Sequence, residues 1–492
     1  MFLALFGIAA NPVPAERADL VIVNAHVWTA DDAGPEAEAV AVRGERIVLV
    51  GKSDDARRRA GPGTRIIDAG GRLLLPGFQD GHTHFVSSGM EVGQLDLKNA
   101  ATPEEFGRLI AEYARGKPPG AWITGGNWDH DKWPGGRLPT AELIDRYVSD
   151  HPVFVGRYDG HMAVANTAAL EAGGVTAETP DPEGGAIVRK PGSRAPEGGL
   201  KDAAMSLVDK AIPEPSPSEL AEGTRKAFGE ARRLGVTTVQ DMLGGLAHLR
   251  AYETVRAEGG MTARVYGRWP IADWKWLAER VRTQGMGDDL FTLRSLKGFA
   301  DGSVGSSTAL FYEPYVNEPM NFGLPSDHWA HLAEWSVAAD AAGLQISIHA
   351  IDNGRFVEKR IGRRRCMTTY AFRTFLDHGI HMNFGSDWSV APLDPILGID
   401  AAVNRATLDG KNPDGWFPEQ RITVAEAVRA YTLENAYAAF MEAKTGSITP
   451  GKYADLVLLD QDLFRIPASR IKETKVDLTV LGGKVVYERG KP

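Results

Sequence analysis

Apolar residues along this chain follow two rhythms. Near its start, Asp19-Leu-Val-Ile-Val23, Ala39-Val-Ala-Val42, Arg46-Ile-Val-Leu-Val50 and Leu73-Leu-Leu75 are short aliphatic runs separated by Gly and charged turns, the pattern of short strands. The far end repeats the style in Asp455-Leu-Val-Leu-Leu459, Leu478-Thr-Val-Leu481 and Lys484-Val-Val-Tyr487. Neither set alone can enclose a core, so residues 18–76 and 435–492 are predicted to combine in one small β-sandwich. Between them, over 77–434, strands alternate with helical patterns. Val236-Thr-Thr-Val239, Arg264-Val-Tyr266, Leu293 to Phe299, Leu344 to His349 and His381 to Gly385 read as buried strands, and Pro217 to Arg233 and Trp329 to Ala342 as helices. That alternation predicts a parallel α/β core.

Composition narrows the function. With 55 Lys and Arg against 64 Asp and Glu, the net charge is −9, which argues against nucleic acid or an anionic membrane as the main partner. The 43% apolar content, beside 55 Gly and 29 Pro, describes many turns around an ample core. One cysteine, Cys366, excludes an internal disulfide framework and CxxC metal sites, so a metal site must draw on His, carboxylate or something less usual. Phe2 to Ala10 is apolar but too short to span a bilayer, and no stable membrane span is expected elsewhere. Residues 1–17 resemble a signal-peptide remnant without its positive start, which leaves export to a periplasm and cytoplasmic residence equally open.

Candidate chemistry starts at Pro76-Gly-Phe-Gln-Asp-Gly-His-Thr-His84. On a strand, residues two apart face the same way, so His82 and His84 can reach one point and suit a zinc site. With 12 His in 492 residues, chance alone supplies such a pair about one time in three; the Pro-Gly turn and Asp80-Gly81 raise its weight. Asp387, in Gly385-Ser-Asp-Trp388, follows a strand and can bind metal or take a proton from water, or be a helix cap. His349 ends an apolar strand, as a ligand or as an ordinary core histidine. Lys297 lies between Leu296 and Phe299, where burial is costly unless its charge is lost or paired with Asp301. A neutral buried amine can take up carbon dioxide as a carbamate able to bridge two metals.

These motifs, together with KGFADGSVGSSTA at 297–309, Gly125-Gly-Asn-Trp128, Gly160-His-Met-Ala-Val-Ala-Asn166 and Gly446-Ser-Ile-Thr-Pro-Gly-Lys-Tyr-Ala-Asp455, resemble the metal-dependent amidohydrolase superfamily, in the branch containing N-substituted formamide deformylase. The resemblance spans nearly all of the chain after residue 18. It implies a (β/α)8 (TIM-type) barrel with its site at the C-terminal mouth of the strands. His82, His84, a carboxylated Lys297 and Asp387 would hold one metal, with Lys297 bridging to a second held by His349 and one further His. Asp387 would act as the base. Residues 86–234 would form the branch's insertion over the mouth. Trp128, His161 and Trp388 are candidates for a substrate pocket, with core packing as the ordinary alternative.

One stretch departs from that pattern. After the strand bearing the His349 equivalent, the branch carries a helix, a strand ending in an HRIEH-like motif, and another strand. Here His349-Ala-Ile-Asp-Asn-Gly-Arg355 runs at once into Phe356 to Arg365 and then Thr369 to Gly379, as if two similar His-Ala-Ile passages had been joined. Strands six and seven of the barrel are therefore expected to be missing, together with one ligand His. The retained residues then complete one Zn2+ site rather than two, other divalent metals remaining open. The expected activity is hydrolysis of a small molecule's carbon–nitrogen bond outside peptides: an amide, formamide or cyclic amide. The alternatives are a folded, non-catalytic family member and a mononuclear deaminase or esterase. A homo-oligomer stays open.

Overall fold

The apolar runs at the two chain ends do become strands, and they pair with each other. In the computed structural model, which describes residues 17–491 apart from 158–161, 183–184, 302–303, 305–308, 317, 324, 327, 351–356 and 407–411, Leu73–Pro76 runs antiparallel to Leu456–Leu459, with Leu74 opposite Leu458. A six-stranded sheet continues outward from this pair, through Val476–Leu481 and Lys484–Glu488 on one side and His26–Trp28 and Glu36–Ala37 on the other. A four-stranded sheet is built from Arg46–Gly51, Ala39–Arg43, Leu20–Val23 and Arg65–Asp68. Leu20, Ile22, Val40 and Val42 of the second sheet share one buried cluster with Val27, Leu74, Leu456 and Val480 of the first. Each sheet supplies one apolar face to that cluster, which is why the two ends need each other.

By its internal contacts the chain divides into residues 1–89 with 221–492, and residues 90–220. In the first unit, five strands form one parallel sheet curled into a half-barrel: β1 (Phe78–Thr83), β2 (Val236–Met242), β3 (Arg264–Pro270), β4 (Phe291–Phe299) and β5 (Gln345–His349), neighbours in that order. Helices Leu246–Ala257, Trp274–Gln284 and Trp329–Ala341 connect successive strands after β2, β3 and β4. The helix Pro217–Arg233 that leads into β2 begins where Ser216 and Glu219 cap each other, Glu219 N–H donating to Ser216 Oγ at 3.2 Å and Ser216 N–H to Glu219 Oε2 at 2.8 Å.

The middle and the margins of this sheet differ. All seven residues of β2 are buried, as in a parallel strand covered on both faces. In β5 no residue is fully buried, and Ile348 is 39% exposed. On the other side of β1, the expected strand at 381–385 is an extended segment without regular strand structure. It joins β1 only from Phe384 onward: Gly81 N–H donates to Phe384 O at 2.9 Å, Asp387 N–H to His82 O at 2.8 Å, and His84 N–H to Trp388 O at 2.9 Å. His381, Asn383 and Gly385 are exposed. A segment with one short ladder lacks the second partner that regularises a barrel strand.

The second unit holds a six-stranded sheet ordered Gly185–Arg189, Pro196–Asp202, Met162–Ala165, Phe154–Arg157, Gly125–Trp128 and Leu95–Asp96. Its core gathers Phe106, Ile110, Trp128, Trp133, Ile144 and Val155.

Candidate metal centre

The strand period does for His82 and His84 what the sequence predicts, leaving their rings 5.8 Å apart between centroids at the C-terminal end of β1. Asp387 arrives from the segment beside β1, its backbone in the left-handed region (φ 52°) that Asp tolerates better than most residues. Its Oδ1 lies 3.5 Å from His82 Nε2 and 3.3 Å from His84 Nε2. Lys297, on β4 and only 7% exposed, places Nζ 3.3 Å from His82 Nε2. Among the described residues, His82, His84 and Asp387 form the one group of three whose donor atoms all lie within 4.8 Å of one another. Asp387 Oδ1 is buried and makes no hydrogen bond of good geometry. Three electron-pair donors facing inward, one of them an unsatisfied carboxylate oxygen, fit a divalent cation.

Electrostatics keep these donors ready. Burial, followed by the neighbouring Lys297, pushes His82 down to about 3, so its imidazole is neutral and free to ligate at neutral pH. Burial works to raise the Asp387 carboxyl, but its contact with His84 and the neighbouring Lys297 ammonium prevail and hold it below the ordinary carboxylate value.

Two carboxylates that sequence reasoning passed over hold the turns that carry these candidate donors. Asp80 Oδ1 accepts the N–H of His82 at 3.0 Å and of Ser386 at 3.0 Å, and Oδ2 accepts Ser386 N–H at 3.1 Å. One buried side chain thus ties the His82 turn to the Asp387 turn across 306 residues of sequence, and burial lifts its carboxyl to about 6. The only signal for this in the sequence was its place two residues before His82. Asp241, at the end of β2, accepts Phe85 N–H at 2.6 Å and the Tyr252 hydroxyl at 2.9 Å, fixing the chain just beyond His84. Asn435 completes the frame by donating to Gln79 O at 2.6 Å and Phe384 O at 2.8 Å. The turns meet so closely that Gly385 is required: a Cβ there would stand 2.5 Å from the backbone nitrogen of His82.

The remaining candidates are placed less centrally. His349 closes β5 with its ring 5.2 Å from that of Phe299, its register partner on β4, outside the three-donor group. Trp388 is half-buried, its ring 5.9 Å from that of Phe85. Trp128 is wholly buried in the core of the second unit, donating Nε1–H to Val155 O at 2.8 Å and packing edge-on against Phe106. His161 lies outside the described residues, as do residues 1–16.

Comparison with known proteins bears on this geometry. A model described as the amidohydrolase family matches residues 65–357 and 353–487, two stretches that share 353–357. The chain is 32% identical to Protein LONG AFTER FAR-RED 3 of Arabidopsis thaliana, over 96% of this chain and 92% of that one. It is 25% identical to N-substituted formamide deformylase of Arthrobacter pascens, over 96% and 98%. Among solved structures, an uncharacterized metal-dependent hydrolase from Pyrococcus furiosus superposes with a TM-score of 0.75 at 24% identity, covering 91% of this chain and all of that one.

Proposed function

The chain belongs to the amidohydrolase family, and we propose that this metal-dependent hydrolase cleaves carbon–nitrogen bonds other than peptide bonds, in an amide, formamide or cyclic amide. The observation that carries the proposal is the inward-facing set of His82, His84 and Asp387 with Lys297 beside it. These four residues, with Lys297 as its carbamate, make a complete four-donor set for one ion, zinc by ligand chemistry. When bound, the ion supplies Lewis-acid polarisation of a carbonyl and acidification of water. The protein's own part is to hold the donors and move a proton. His82 and His84 would hold the ion through imidazole nitrogens. Asp387, ionised at neutral pH, accepts the proton that water gives up on attacking the carbonyl carbon and returns it to the departing nitrogen. Trp388 stands beside Asp387 as a wall for the acyl or amine group.

We also read the barrel as lacking strands six and seven. The two matched stretches meet just after β5, where those strands would begin. The alignment with the Arabidopsis protein runs over 539 positions yet takes in 96% of 492 residues, about 472, leaving about 67 positions facing nothing in this chain. At ~250 residues for eight βα units, that shortfall is about two units. The exposure of β5 and of 381–385 fits the same reading. This observation favours a second reading, a folded family member without catalytic activity.

Elemental analysis of the folded protein is the first test. About one zinc per chain, lost in His82→Ala and Asp387→Ala, supports the site, and turnover of formamides, hydantoin-like rings or amides then selects catalysis over the second reading. No metal after loading with zinc and bicarbonate refutes the hydrolase reading and leaves the non-catalytic one.

A further inference from the structure

Helix Leu246–Ala257 begins at the rim that carries the candidate donors. β2 and β1 are parallel neighbours with Asp241 opposite Thr83, so both strands end on the same side. The helix is fixed against the residue that follows His84. Tyr252 donates its hydroxyl to Asp241 Oδ2 at 2.9 Å, Asp241 Oδ1 accepts Phe85 N–H at 2.6 Å, and the rings of Tyr252 and Phe85 lie nearly parallel with centroids 6.5 Å apart. His248 precedes Tyr252 by four residues on this helix. It therefore stands on the same face, one turn or about 5.4 Å nearer the rim.

The His248 ring is held in one form. Its Nδ1 accepts the backbone N–H of Gly244 at 3.0 Å, which leaves the proton of the neutral imidazole on Nε2. The ring packs against Gly244, where a Cβ would stand 2.9 Å from Cε1 and 3.2 Å from Nε2. Burial, followed by the nearby His84, holds the imidazole below its ordinary value, so the ring is neutral at neutral pH. In that form Nε2 has a hydrogen to give and no electron pair for a metal. Among the described residues it has no hydrogen-bond partner. His248 is half-buried and its neighbours Gly244, Leu246 and Ala247 are exposed, so a small molecule at the rim can reach it. Tying down the Gly244 turn needs only Nδ1; that role leaves Nε2 unexplained.

We propose that His248 is a substrate-binding residue, presenting Nε2–H beside His84 as an oriented donor to a second acceptor oxygen of the substrate, and that it selects amides with two carbonyl groups over those with one. The proposal rests on the hydrolase reading above and deepens it. The carbonyl to be cleaved belongs at the group of His82, His84 and Asp387; a donor on the neighbouring helix meets a different atom of the same molecule. Leu246, 49% exposed two residues away, offers an apolar wall beside that donor.

The test uses zinc-loaded, full-length protein and two probes: hydantoin, with two ring carbonyls, and ethyleneurea, the same ring with one. Calorimetry is expected to show that the wild type binds hydantoin more tightly. In His248→Asn the amide oxygen can still accept Gly244 N–H, but the side chain ends short of the Nε2 position. Hydantoin affinity should fall about threefold to tenfold, the worth of one hydrogen bond, with ethyleneurea affinity, zinc content and melting temperature unchanged. If hydantoin is turned over, the loss appears in KM rather than kcat. Gly244→Ala, which displaces the ring without altering it, should cause the same selective loss and decides the matter should His248→Asn fail to fold. A folded variant that keeps the wild-type preference, or weakens both probes equally, overturns the proposal. So does a zinc-bearing wild type without preference between the probes. A wild type that takes up no zinc refutes the hydrolase reading, and this proposal with it.

Discussion

Replacing Asp241 by Asn isolates the energetic consequence of a buried carboxylate that frames the candidate metal centre. Asp241 is fully buried, and burial lifts its carboxyl from the ordinary 3.8 to about 6, against the hydrogen bonds from Phe85 N–H and Tyr252. Because the folded value lies above the unfolded one, the native protein keeps a proton between pH 3.8 and about 6 that the unfolded chain releases. Stability contributed by this group is therefore whole below pH 3.8 and is lost as pH rises through about 6. At about 1.4 kcal/mol per pH unit, the loss is about 3 kcal/mol by pH 7. Asn keeps both contacts, its amide oxygen accepting from Phe85 and its amide nitrogen donating to the Tyr252 oxygen, but it never ionises. Asp241→Asn should match the wild type within about 1 kcal/mol at pH 4 and exceed it by about 3 kcal/mol at pH 7. At about 2.1 cal/mol/K of unfolding entropy per residue, that advantage is about 3 °C in melting temperature for a chain this long. The assay is thermal unfolding of chelator-treated protein, wild type and variant, at both pH values. A gap between the two that stays constant from pH 4 to pH 7 would refute the reasoning, since it would mean that Asp241 does not carry the burial cost assigned to it.

Two further substitutions test the frame elsewhere. Gly385→Ala pushes a methyl against the His82 backbone and should lower stability by about 1–3 kcal/mol, the usual cost of overpacking, while also reducing zinc content; an unchanged melt with full zinc would show that the two turns are not in contact. Asp455→Ala leaves the buried Arg264 guanidinium, now paired at 2.7 and 3.0 Å, without its carboxylate. A loss of about 3–5 kcal/mol is expected in denaturant unfolding, and a loss under about 1 kcal/mol would mean that solvent reaches the pair.

The local parts of this protein could be read from its sequence because they depend on short-range periodicity. Alternation with period two brings His82 and His84 to one side of a strand, and the aliphatic runs of both chain ends become the strands expected of them. Lys297 is buried on a strand, as its apolar neighbours require. Sequence periodicity has no access to pairings that close over hundreds of residues. The bond from Ser386 to Asp80 spans 306 residues and that from Phe85 to Asp241 spans 156, so the roles of both carboxylates became visible only when the turns were brought together. The same holds for Arg268. In sequence it is one residue of an ordinary strand, and only the curling of β2, β3 and β5 around it puts neutral Gln240 and Ser347 where a carboxylate would usually be. The segment at 381–385 shows the converse. Its residues favour a strand, but a strand exists only where a second backbone offers hydrogen bonds, and β1 offers them only from Phe384 onward. Composition and period determined which residues would be strands and which could bind a metal; tertiary pairing decided which charges were left to balance one another, because burial and charge compensation belong to the assembled interior.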